Sequence, residues 1–560
     1  MGRDFMSADT DQLLFLPLGG AGEIGMNLNL YGYGPPDKER WMMVDLGITF
    51  GDGAVPGVDV VMADPAFIEE RIDQLDGLVL THAHEDHLGA VAHLWERLRC
   101  PVYATPFTAE ILGHKLAEAG LDDRVPVTIV PLKGKFSVGP FDLELITLTH
   151  SIPEPNAIVI RTPAGMVLHT GDWKFDPDPV VGEVSDEAAL KALGAEGTLA
   201  IVCDSTNVFS EGTSGSEGDL LESLTQLIGT LQKRVVVACF ASNVARMETI
   251  AAAAAANDRD VVLAGRALWR FNEVGRNHGC LTNTPTFLEA ENAGFLPRDK
   301  TLIICTGSQG EPRAALARIA SGNHPHITLE PDDTVIFSAR AIPGNEKSIG
   351  HMQNKLIRAG IQVMTEKDHF VHVSGHPARD ELIRMYQHVQ PKIAIPVHGE
   401  LRHMAEHARL AHDCQVTSTL VGENGTMMRI APGEPAIVDL VPYGRLALEG
   451  NRVVPLDGEL IRGRKRALWN GTVIVTVILD KGGKLAAEPM LTSTGVLDDG
   501  DAELEEAALN AARQAVLELD AKERADDAAA NEAVRRAVRR FFRDQLDKSP
   551  ITGVHLIRLE

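Results

Sequence analysis

Short apolar runs, broken by glycine, proline and polar turns, follow one another along the first two hundred residues. The runs at 41–44, 78–80, 143–148 and 166–168 predict β-strands. Helical patterns at 67–75 and 88–98 lie between them. This mixture predicts an α/β sandwich over residues 12–205.

Strand and helix patterns alternate more regularly between residues 206 and 370. Predicted strands at 234–239, 261–263, 301–305 and 334–337 are separated by helical stretches such as the alanine run at 251–256, which is typical of a parallel α/β domain. A further strand is predicted at 392–397. After residue 446 a basic segment (462–466), a strand (472–479), two charged helices (501–519 and 531–546) and a last strand (554–557) predict a separate small α/β domain.

Polar side chains stand where several predicted strands end. An apolar run ends in a polar cluster at each of five places, and these clusters contain His82, His150, Asp172, Asp204 and His398. Ligands of open α/β folds bind at the carboxyl ends of strands, so these side chains indicate a site rather than core packing.

Composition limits the class of protein. Apolar residues make up 44% and charged residues 23% of the chain, as in globular proteins. No window approaches 18 consecutive apolar residues, so no membrane span is expected. The polar start carries no signal-peptide pattern, and six scattered cysteines indicate a reducing compartment, so we expect a cytoplasmic protein.

The net charge of −25 argues against non-specific binding of nucleic acid, because polyanions are repelled. Local basic patches or bound divalent cations can reverse the field inside one cleft. Whether the protein binds nucleic acid must therefore be judged from the residues of the site.

The segment His82-Ala83-His84-Glu85-Asp86-His87 places four candidate ligands, His82, His84, Asp86 and His87, within six residues after a strand. Imidazole and carboxylate together suit zinc or manganese. The alternative is a solvated polar turn, which the further donors at other strand ends make less attractive.

This motif, followed by His150 and by Asp172 in Thr170-Gly171-Asp172, resembles the metallo-β-lactamase superfamily. The resemblance implies two divalent ions, with zinc favoured over manganese, that activate water and neutralise charge during displacement. One ion would be held by His82, His84 and His150, the other by Asp86, His87 and a later histidine, with Asp172 bridging. His169 is interpreted as a packed histidine.

About 165 residues (206–370) are inserted after this first half, before the segment that contains the return strand. The order of Asp204, His376 and His398 resembles the three added motifs of the β-CASP group of nucleic-acid hydrolases. Four further segments are similar to the bacterial ribonuclease J family, namely 19–27, 240–243, 306–312 and 342–346. The resemblance implies a metallo-β-lactamase αββα sandwich (1–205 and 371–446), an inserted α/β β-CASP domain (206–370), and a linker with a small C-terminal α/β domain (447–560).

A pocket for a terminal phosphate is predicted at His372, Val373, Ser374, Gly375 and His376. The segment supplies a hydroxyl, two imidazoles and a glycine that lets backbone N–H groups approach an anion. Its alternative is a Ser-Gly turn before a helix.

Residues Phe240, Ala241 and Ser242 follow a strand and could add a second phosphate contact. Ser242 as the N-cap of the following helix is the alternative, and both can hold.

Two other patterns are interpreted as structural. Gly20-x-Gly22-x-x-Gly25 mimics a dinucleotide fingerprint, but a strand follows it, so we expect a hairpin turn. Five arginines share one helical stretch with apolar residues, which favours a packing helix with a solvated basic face over an RNA contact: Arg535, Arg536, Arg539, Arg540 and Arg543.

The family resemblance implies a metal-dependent ribonuclease that removes nucleotides from the 5′ end of single-stranded RNA and also cuts internally. It implies a preference for 5′-monophosphorylated RNA, a homodimer or homotetramer, and membership of an RNA-degradation complex. Asp204 and His376 would transfer protons, in either order. The alternatives are a metallohydrolase of small esters or thioesters and an inactive RNA-binding scaffold.

Overall fold

The computed structural model describes residues 10–51, 55–342 and 344–559. It divides into a larger unit, which runs through Thr49 and continues over Met62–Gly444, and a smaller unit that contains Arg445 onward and the segment near 55–61. The expected domain boundaries at 205, 370 and 446 stay a prediction.

Two mixed sheets form the centre of the larger unit. The first has eight strands, in the order Ala436–Leu440, Thr426–Ala431, Gln12–Gly19, Leu28–Gly34, Arg40–Val44, Leu75–Val79, Val102–Ala104 and Val127–Ile129. The second has seven, in the order Lys135–Val138, Phe141–Thr147, Asn156–Thr162, Gly165–His169, Ala200–Asp204, Ile393–Val397 and Ser418–Thr419.

One apolar core lies between the two sheets. Phe15 and Val44 of the first sheet and Val167, Val202 and Ile395 of the second belong to one cluster of buried side chains. Alternate residues of the second sheet, such as Ile201 and Ala394, face the other way into a second cluster with the helices Glu187–Glu196, Arg379–Val389 and Leu401–Asp413. Because successive strand residues point to opposite faces, the sheet is covered on both sides.

The remaining helical segments of this part of the fold follow the strand ends. They are Ala66–Glu69, Ile72–Gln74 (a 3-10 turn), Glu85–Leu88, Val91–Leu98 and Pro106–Glu118. The helix predicted at 67–75 is therefore wrong in extent. It stops at Glu69, and Leu75 already opens a strand that pairs with Trp41, because the ladder outweighs the weak local helical preference.

A six-stranded parallel sheet forms the inserted α/β domain. Its order is Leu288–Glu289, Asp260–Ala264, Thr301–Cys305, Val235–Ala238, Thr334–Phe337 and Gln362–Met364, and every pair is parallel. The sheet is accompanied by the helices Asp219–Thr230, Val244–Ala256, Arg266–Asn277, Ala315–Ala320 and Glu346–Arg358 and the 3-10 turns Ala290–Gly294 and Arg298–Lys300. The predicted parallel domain is confirmed.

The smaller unit contains the strand Thr472–Leu479 between Met490–Thr494 and Ile551–Arg558. Its helices are Glu459–Asn470, Ala502–Leu517, Ala521–Ala525 and Asp527–Leu546, and Arg445–Glu449 pairs with Arg452–Pro455. Two short strands, Ile48–Phe50 and Val60–Ala63, lie earlier in the chain.

The arginine-rich helix of the smaller unit packs as expected. Val534, Val538 and Phe542 are completely buried, and Arg535 and Arg536 pair with Glu532 on the opposite side. The helix is amphipathic, with its basic face pointing away from the core.

The glycine-rich segment after the first strand is a turn, as predicted. It connects Gln12–Gly19 to the antiparallel Leu28–Gly34. Gly20 has a φ of +85°, and a Cβ there would come within 2.2 Å of Asn27 Oδ1. Its carbonyl accepts a hydrogen bond from His398 N (2.6 Å), and Ala21–Gly22 pairs in parallel with Gly399–Glu400. The turn thus holds the loop that carries His398.

Within the described residues no helix is long and apolar enough to cross a membrane.

Candidate metal centre

Seven side chains from four strand ends converge on one buried point. Two groups of possible ligand atoms share Asp172, and the atoms of each group lie within 4.8 Å of one another. The first group is His82, His84, His150 and Asp172; the second is Asp86, His87, Asp172 and His398. These are the sets that the sequence predicts for two ions.

The first group is built almost entirely of imidazole. His84 Nδ1 lies 3.1 Å from His82 Nε2 and 3.1 Å from His150 Nε2. Two nitrogens that are each ~2.0–2.1 Å from one tetrahedral zinc ion lie roughly 3.3 Å apart, so this spacing fits a shared cation. Burial lowers the pKa of His84 to about 4, which leaves the neutral ring that binds metal.

The second group is rich in carboxylate. Asp172 Oδ2 lies 3.2 Å from His87 Nε2, and Asp86 Oδ2 lies 3.1 Å from His398 Nε2. Burial opposes a charge on either ring, but Asp172 and the neighbouring carboxylates raise the pKa of both His87 and His398 well above the ordinary value. This half of the site therefore attracts positive charge.

Asp172 itself shows that a cation belongs here. It is 3% exposed, and its Oδ1 has no hydrogen-bond partner. A buried, unsatisfied carboxylate oxygen is costly. The donor set and this free oxygen together fit a divalent metal ion.

Asp45 is a functional residue that the sequence analysis missed. Its buried carboxylate accepts hydrogen bonds from Thr81 N (2.8 Å), Thr81 Oγ1 (2.8 Å) and His87 Nδ1 (2.7 Å). Because the Thr81 hydroxyl donates its only hydrogen to Asp45, its oxygen accepts a hydrogen bond from His82 Nδ1 (2.9 Å). Asp45 thus fixes one histidine of each group with Nε2 directed inward.

The position of Asp45, directly after a predicted strand, was the one available signal. A single aspartate at a strand end is too common to stand out without the fold.

The loop predicted to bind phosphate, residues 372–376 (the phosphate loop), also contacts the metal centre through its backbone. His150 Nδ1 donates to the carbonyl oxygen of Gly375, which leaves His150 Nε2 free. A Cβ on Gly375 would lie 2.8 Å from His150 Cε1. The glycine is thus required for close packing against a histidine, which the sequence analysis did not anticipate.

Asp204 and His376 form a pair beside the second group. His376 Nδ1 donates to Asp204 Oδ2 (2.8 Å), and Asp204 Oδ1 accepts from Thr206 N (2.8 Å). Burial disfavours the charged ring, but Asp204 and then Asp172 raise the pKa of His376. Both residues also lie within ligand distance of Asp172 and His398.

His169 lies outside these groups. It is 3% exposed, and its Nδ1 is 2.9 Å from the Tyr31 hydroxyl. The interpretation of His169 as a packed histidine is confirmed.

A cavity of about 260 Å³ opens beside the loop that leads to His376. His372, Val373 and Ser374 line it together with Asn207 and Arg340. Gly375 and His376 are not part of its lining; Gly375 contacts His150, and His376 belongs to the metal centre.

Phe240, Ala241 and Ser242 do not line this cavity. They follow the strand Val235–Ala238 at the carboxyl end of the parallel sheet. Asn243, not Ser242, caps the next helix, because its side chain accepts from Arg246 N (2.8 Å).

The comparisons with known proteins first define a class. Residues 31–236 match the metallo-beta-lactamase superfamily, and 360–419 match the RNA specificity domain of zinc-dependent metallo-hydrolases. Residues 232–356 match the ribonuclease J beta-CASP domain, and 459–559 match the ribonuclease J C-terminal domain. The chain is a metallo-β-lactamase-fold hydrolase with β-CASP and C-terminal domains.

Full-length relatives narrow the class. The chain is 43% identical to ribonuclease J of Sinorhizobium meliloti over 99% of this chain and 98% of that protein. It is 34% identical to ribonuclease J of Corynebacterium glutamicum over 97% of this chain and 76% of that one. The chain belongs to the ribonuclease J family and is a metal-dependent ribonuclease.

One solved structure shares the fold at low sequence identity. It is a protein of unknown function from Enterococcus faecalis V583, with a TM-score of 0.50 and 14% identity. The match covers 75% of this chain and all of that one.

His84→Ala should abolish RNA cleavage and reduce the bound metal, because it removes the nitrogen that lies nearest both His82 and His150. The side chain is partly exposed at a strand end, so the melting temperature should change little. Metal analysis by mass spectrometry and hydrolysis of a labelled RNA measure the effect. His93→Ala, a histidine on the next helix, serves as the matched control. Wild-type metal content in His84→Ala would contradict the assignment.

Asp45→Asn should lower metal affinity by about 10- to 100-fold, because the three donors use both carboxylate oxygens and an amide offers only one. Its NH2 group would face either Thr81 N or the Thr81 Oγ1 and His87 Nδ1 donors. Titration with a competing chelator measures the affinity. Asp333→Asn removes an equally buried carboxylate far from the site and should leave the metal affinity unchanged. Equal losses in both variants would mean that Asp45 acts only on stability.

Proposed function

We propose that this ribonuclease holds two divalent ions and degrades single-stranded RNA from its 5′ end. It prefers a 5′-monophosphate, releases nucleoside 5′-monophosphates, and cuts internally as a second activity. The observation that carries this proposal is the cavity at His372–Ser374, which one short loop joins to His376 at the metal centre. An anchor at a fixed distance from the reacting centre is what removal of terminal nucleotides requires.

The two ligand groups would each hold one ion, with Asp172 between them. Three neutral imidazoles in the first group favour zinc, and the carboxylates of the second keep manganese as the other candidate. When bound, such a pair of ions polarises the scissile phosphate, lowers the pKa of water and neutralises the developing charge.

His376 is the residue that we propose to exchange a proton with the substrate. Its Nδ1 is bound to Asp204, so Nε2 is the ring nitrogen left for the leaving oxygen. Asp204 is completely buried, and both of its oxygens already accept hydrogen bonds. This favours Asp204 as a positioning residue, which fixes the orientation of His376 and stabilises its charge, over a direct role in proton transfer.

The lining of the cavity suits a phosphate. Ser374 Oγ accepts hydrogen bonds from Asn207 Nδ2 (2.7 Å) and His376 N (3.2 Å). Both acceptor positions are therefore used, and the hydroxyl hydrogen is left to donate into the cavity. Arg340, which lines the same cavity, is exposed and forms no ion pair with any described residue. The lining also contains one carboxylate, Glu366, whose charge Arg340 offsets, and the Ser374 hydroxyl donor favours an anion there.

The small-ester hydrolase and the inactive scaffold are less well supported. A small substrate needs no anchor cavity beyond the metal centre. An inactive scaffold is expected to lose ligands, whereas all seven candidate ligands are present and converge.

Assembly and location are proposed from the family resemblance. We propose a homodimer or homotetramer that joins an RNA-degradation complex in the cytoplasm. Leu468 and Trp469 on the helix Glu459–Asn470 are 62% and 74% exposed, as expected for side chains that a partner covers. The six cysteines are all free, which agrees with a reducing compartment.

A 5′-labelled RNA with a 5′-monophosphate should yield labelled mononucleotide as its first product, and a chelator should stop the reaction. Release of larger labelled fragments alone would contradict cleavage from the 5′ end. An unchanged rate after complete removal of metal would contradict the metal-dependent mechanism.

Ser374→Ala should narrow the preference for 5′-monophosphorylated over 5′-hydroxyl RNA by roughly 10- to 150-fold. Loss of one hydrogen bond to a charged group costs about 1.5–3 kcal/mol. The measurement is the ratio of kcat/KM for two RNAs that differ only in the terminal group, with metal content checked. Ser210→Ala, in the same cavity, should retain the wild-type ratio. An unaltered ratio in Ser374→Ala would show that the anchor lies elsewhere.

A further inference from the structure

Arg246 is a buried cation that neither the metal centre nor the predicted phosphate loop contains. It lies on the helix Val244–Ala256 and is 1% exposed. Its Nη2 and Nε donate to the two carboxylate oxygens of Glu217 at 2.9 and 3.1 Å. This two-pronged pair occupies one edge of the guanidinium and leaves Nη1 for other acceptors.

The free Nη1 reaches the loop that lines the phosphate cavity. It donates to Ser338 O (2.9 Å) and Ser338 Oγ (2.8 Å), and it lies 3.4 Å from both Val371 O and His372 Nδ1. Ser338 Oγ in turn donates to Val371 O (2.6 Å). Arg246 therefore holds the backbone before His372 and faces one nitrogen of the His372 ring.

The two hydrogens of Nη1 bond Ser338, and the guanidinium, a cation with donors only, stands 3.4 Å from His372 Nδ1. Its charge favours a lone pair over an N–H on that nitrogen. Nδ1 therefore carries the lone pair, and the single hydrogen of the neutral ring resides on Nε2. Burial, and then the positive charges of Arg246, Arg340 and Lys174, keep the pKa of His372 well below its ordinary value. The ring is thus neutral at physiological pH.

The cost of burying Arg246 supports a positioning role. Arg246 and Glu217 are 1% and 2% exposed at their side chains, and such a pair gains little net stability over apolar residues of similar volume. Glu217 is itself held in place, because its backbone N–H donates to Asp176 Oδ2 (2.9 Å), which also pairs with Lys174. A lysine in place of Arg246 could keep the positive charge but not the paired hydrogen bonds to Glu217.

We propose that Arg246 is a positioning residue for substrate recognition: it fixes His372 as the Nε2–H tautomer, so that the ring presents a hydrogen-bond donor to the terminal phosphate of RNA. The inference rests on the proposed 5′-phosphate site and deepens it. A ring with the hydrogen on Nδ1 would instead direct a lone pair at the phosphate and repel it.

Arg246→Lys in the full-length, metal-loaded protein tests the tautomer directly. Nitrogen NMR of ¹⁵N-histidine-labelled protein distinguishes the two tautomers, and His372→Gln identifies the His372 signals by their loss. The wild type should show the Nε2–H form, and Arg246→Lys should show a mixture. This readout needs no RNA, so it tests the inference even if the 5′-phosphate proposal fails.

The same variant should also reduce the preference for 5′-monophosphorylated over 5′-hydroxyl RNA about tenfold, which corresponds to about 1.4 kcal/mol. The ratio of kcat/KM values cancels any general loss of folded enzyme. Arg234→Lys is the matched control, because Arg234 is also buried and bonded to backbone carbonyls of the same domain. It should retain the wild-type ratio and the His372 signals.

The outcomes separate the two claims. No preference in the wild type would overturn the 5′-phosphate proposal, while the tautomer would still decide the role of Arg246. A clear wild-type preference with unchanged His372 signals in Arg246→Lys would overturn the inference alone. Equal changes in Arg246→Lys and Arg234→Lys would also overturn it, because they would indicate a purely structural effect.

Discussion

A carboxylate in the interior of a protein must be surrounded by cations or donors, and the whole site follows from this requirement at Asp172. Its side chain is shared by both ligand groups and by the Asp204–His376 pair. Histidines at 3.2–3.9 Å surround one of its oxygens, while the other has no hydrogen-bond partner. Strands of the two central sheets end beside Asp172 and place imidazole rings around it. The fold itself therefore provides the groups that balance the buried charge.

A further set of polar contacts fixes the orientation of the ligand side chains. Asp45 orients one histidine of each ligand group, the carbonyl of Gly375 orients His150, and Thr206 Oγ1 lies 2.8 Å from His398 Nδ1. For His82, His87 and His150 the contact occupies the ring nitrogen that does not face the cluster. The tautomers are thus set before any ion or substrate binds, which lowers the reorganisation that binding requires.

Contiguous patterns were predictable and long-range partners were not. His82, His84, Asp86 and His87 stand within six residues after a strand, so their spacing alone indicated a metal site. The strand Thr472–Leu479 was predicted to the residue by its alternation. Asp45 and Arg246, in contrast, are single residues whose partners lie 42 and 29 positions away. The local pattern predicts a helix through Leu75, but Leu75 pairs with Trp41 in a strand. This tertiary contact outweighs local propensity and cannot be read from the neighbouring residues.

The hydrogen bond between Gly20 and His398 has a consequence for the newly made chain. It closes the second ligand group with His398, 378 positions after Gly20. His398 directly follows the strand Ile393–Val397, which lies between Ala200–Asp204 and Ser418–Thr419. Until the ribosome has released residues near 400, the nascent chain lacks His398 and His376 at the centre. Synthesis is vectorial, so a nascent copy cannot cleave the transcript from which it is being made before most of its own catalytic domain has been translated.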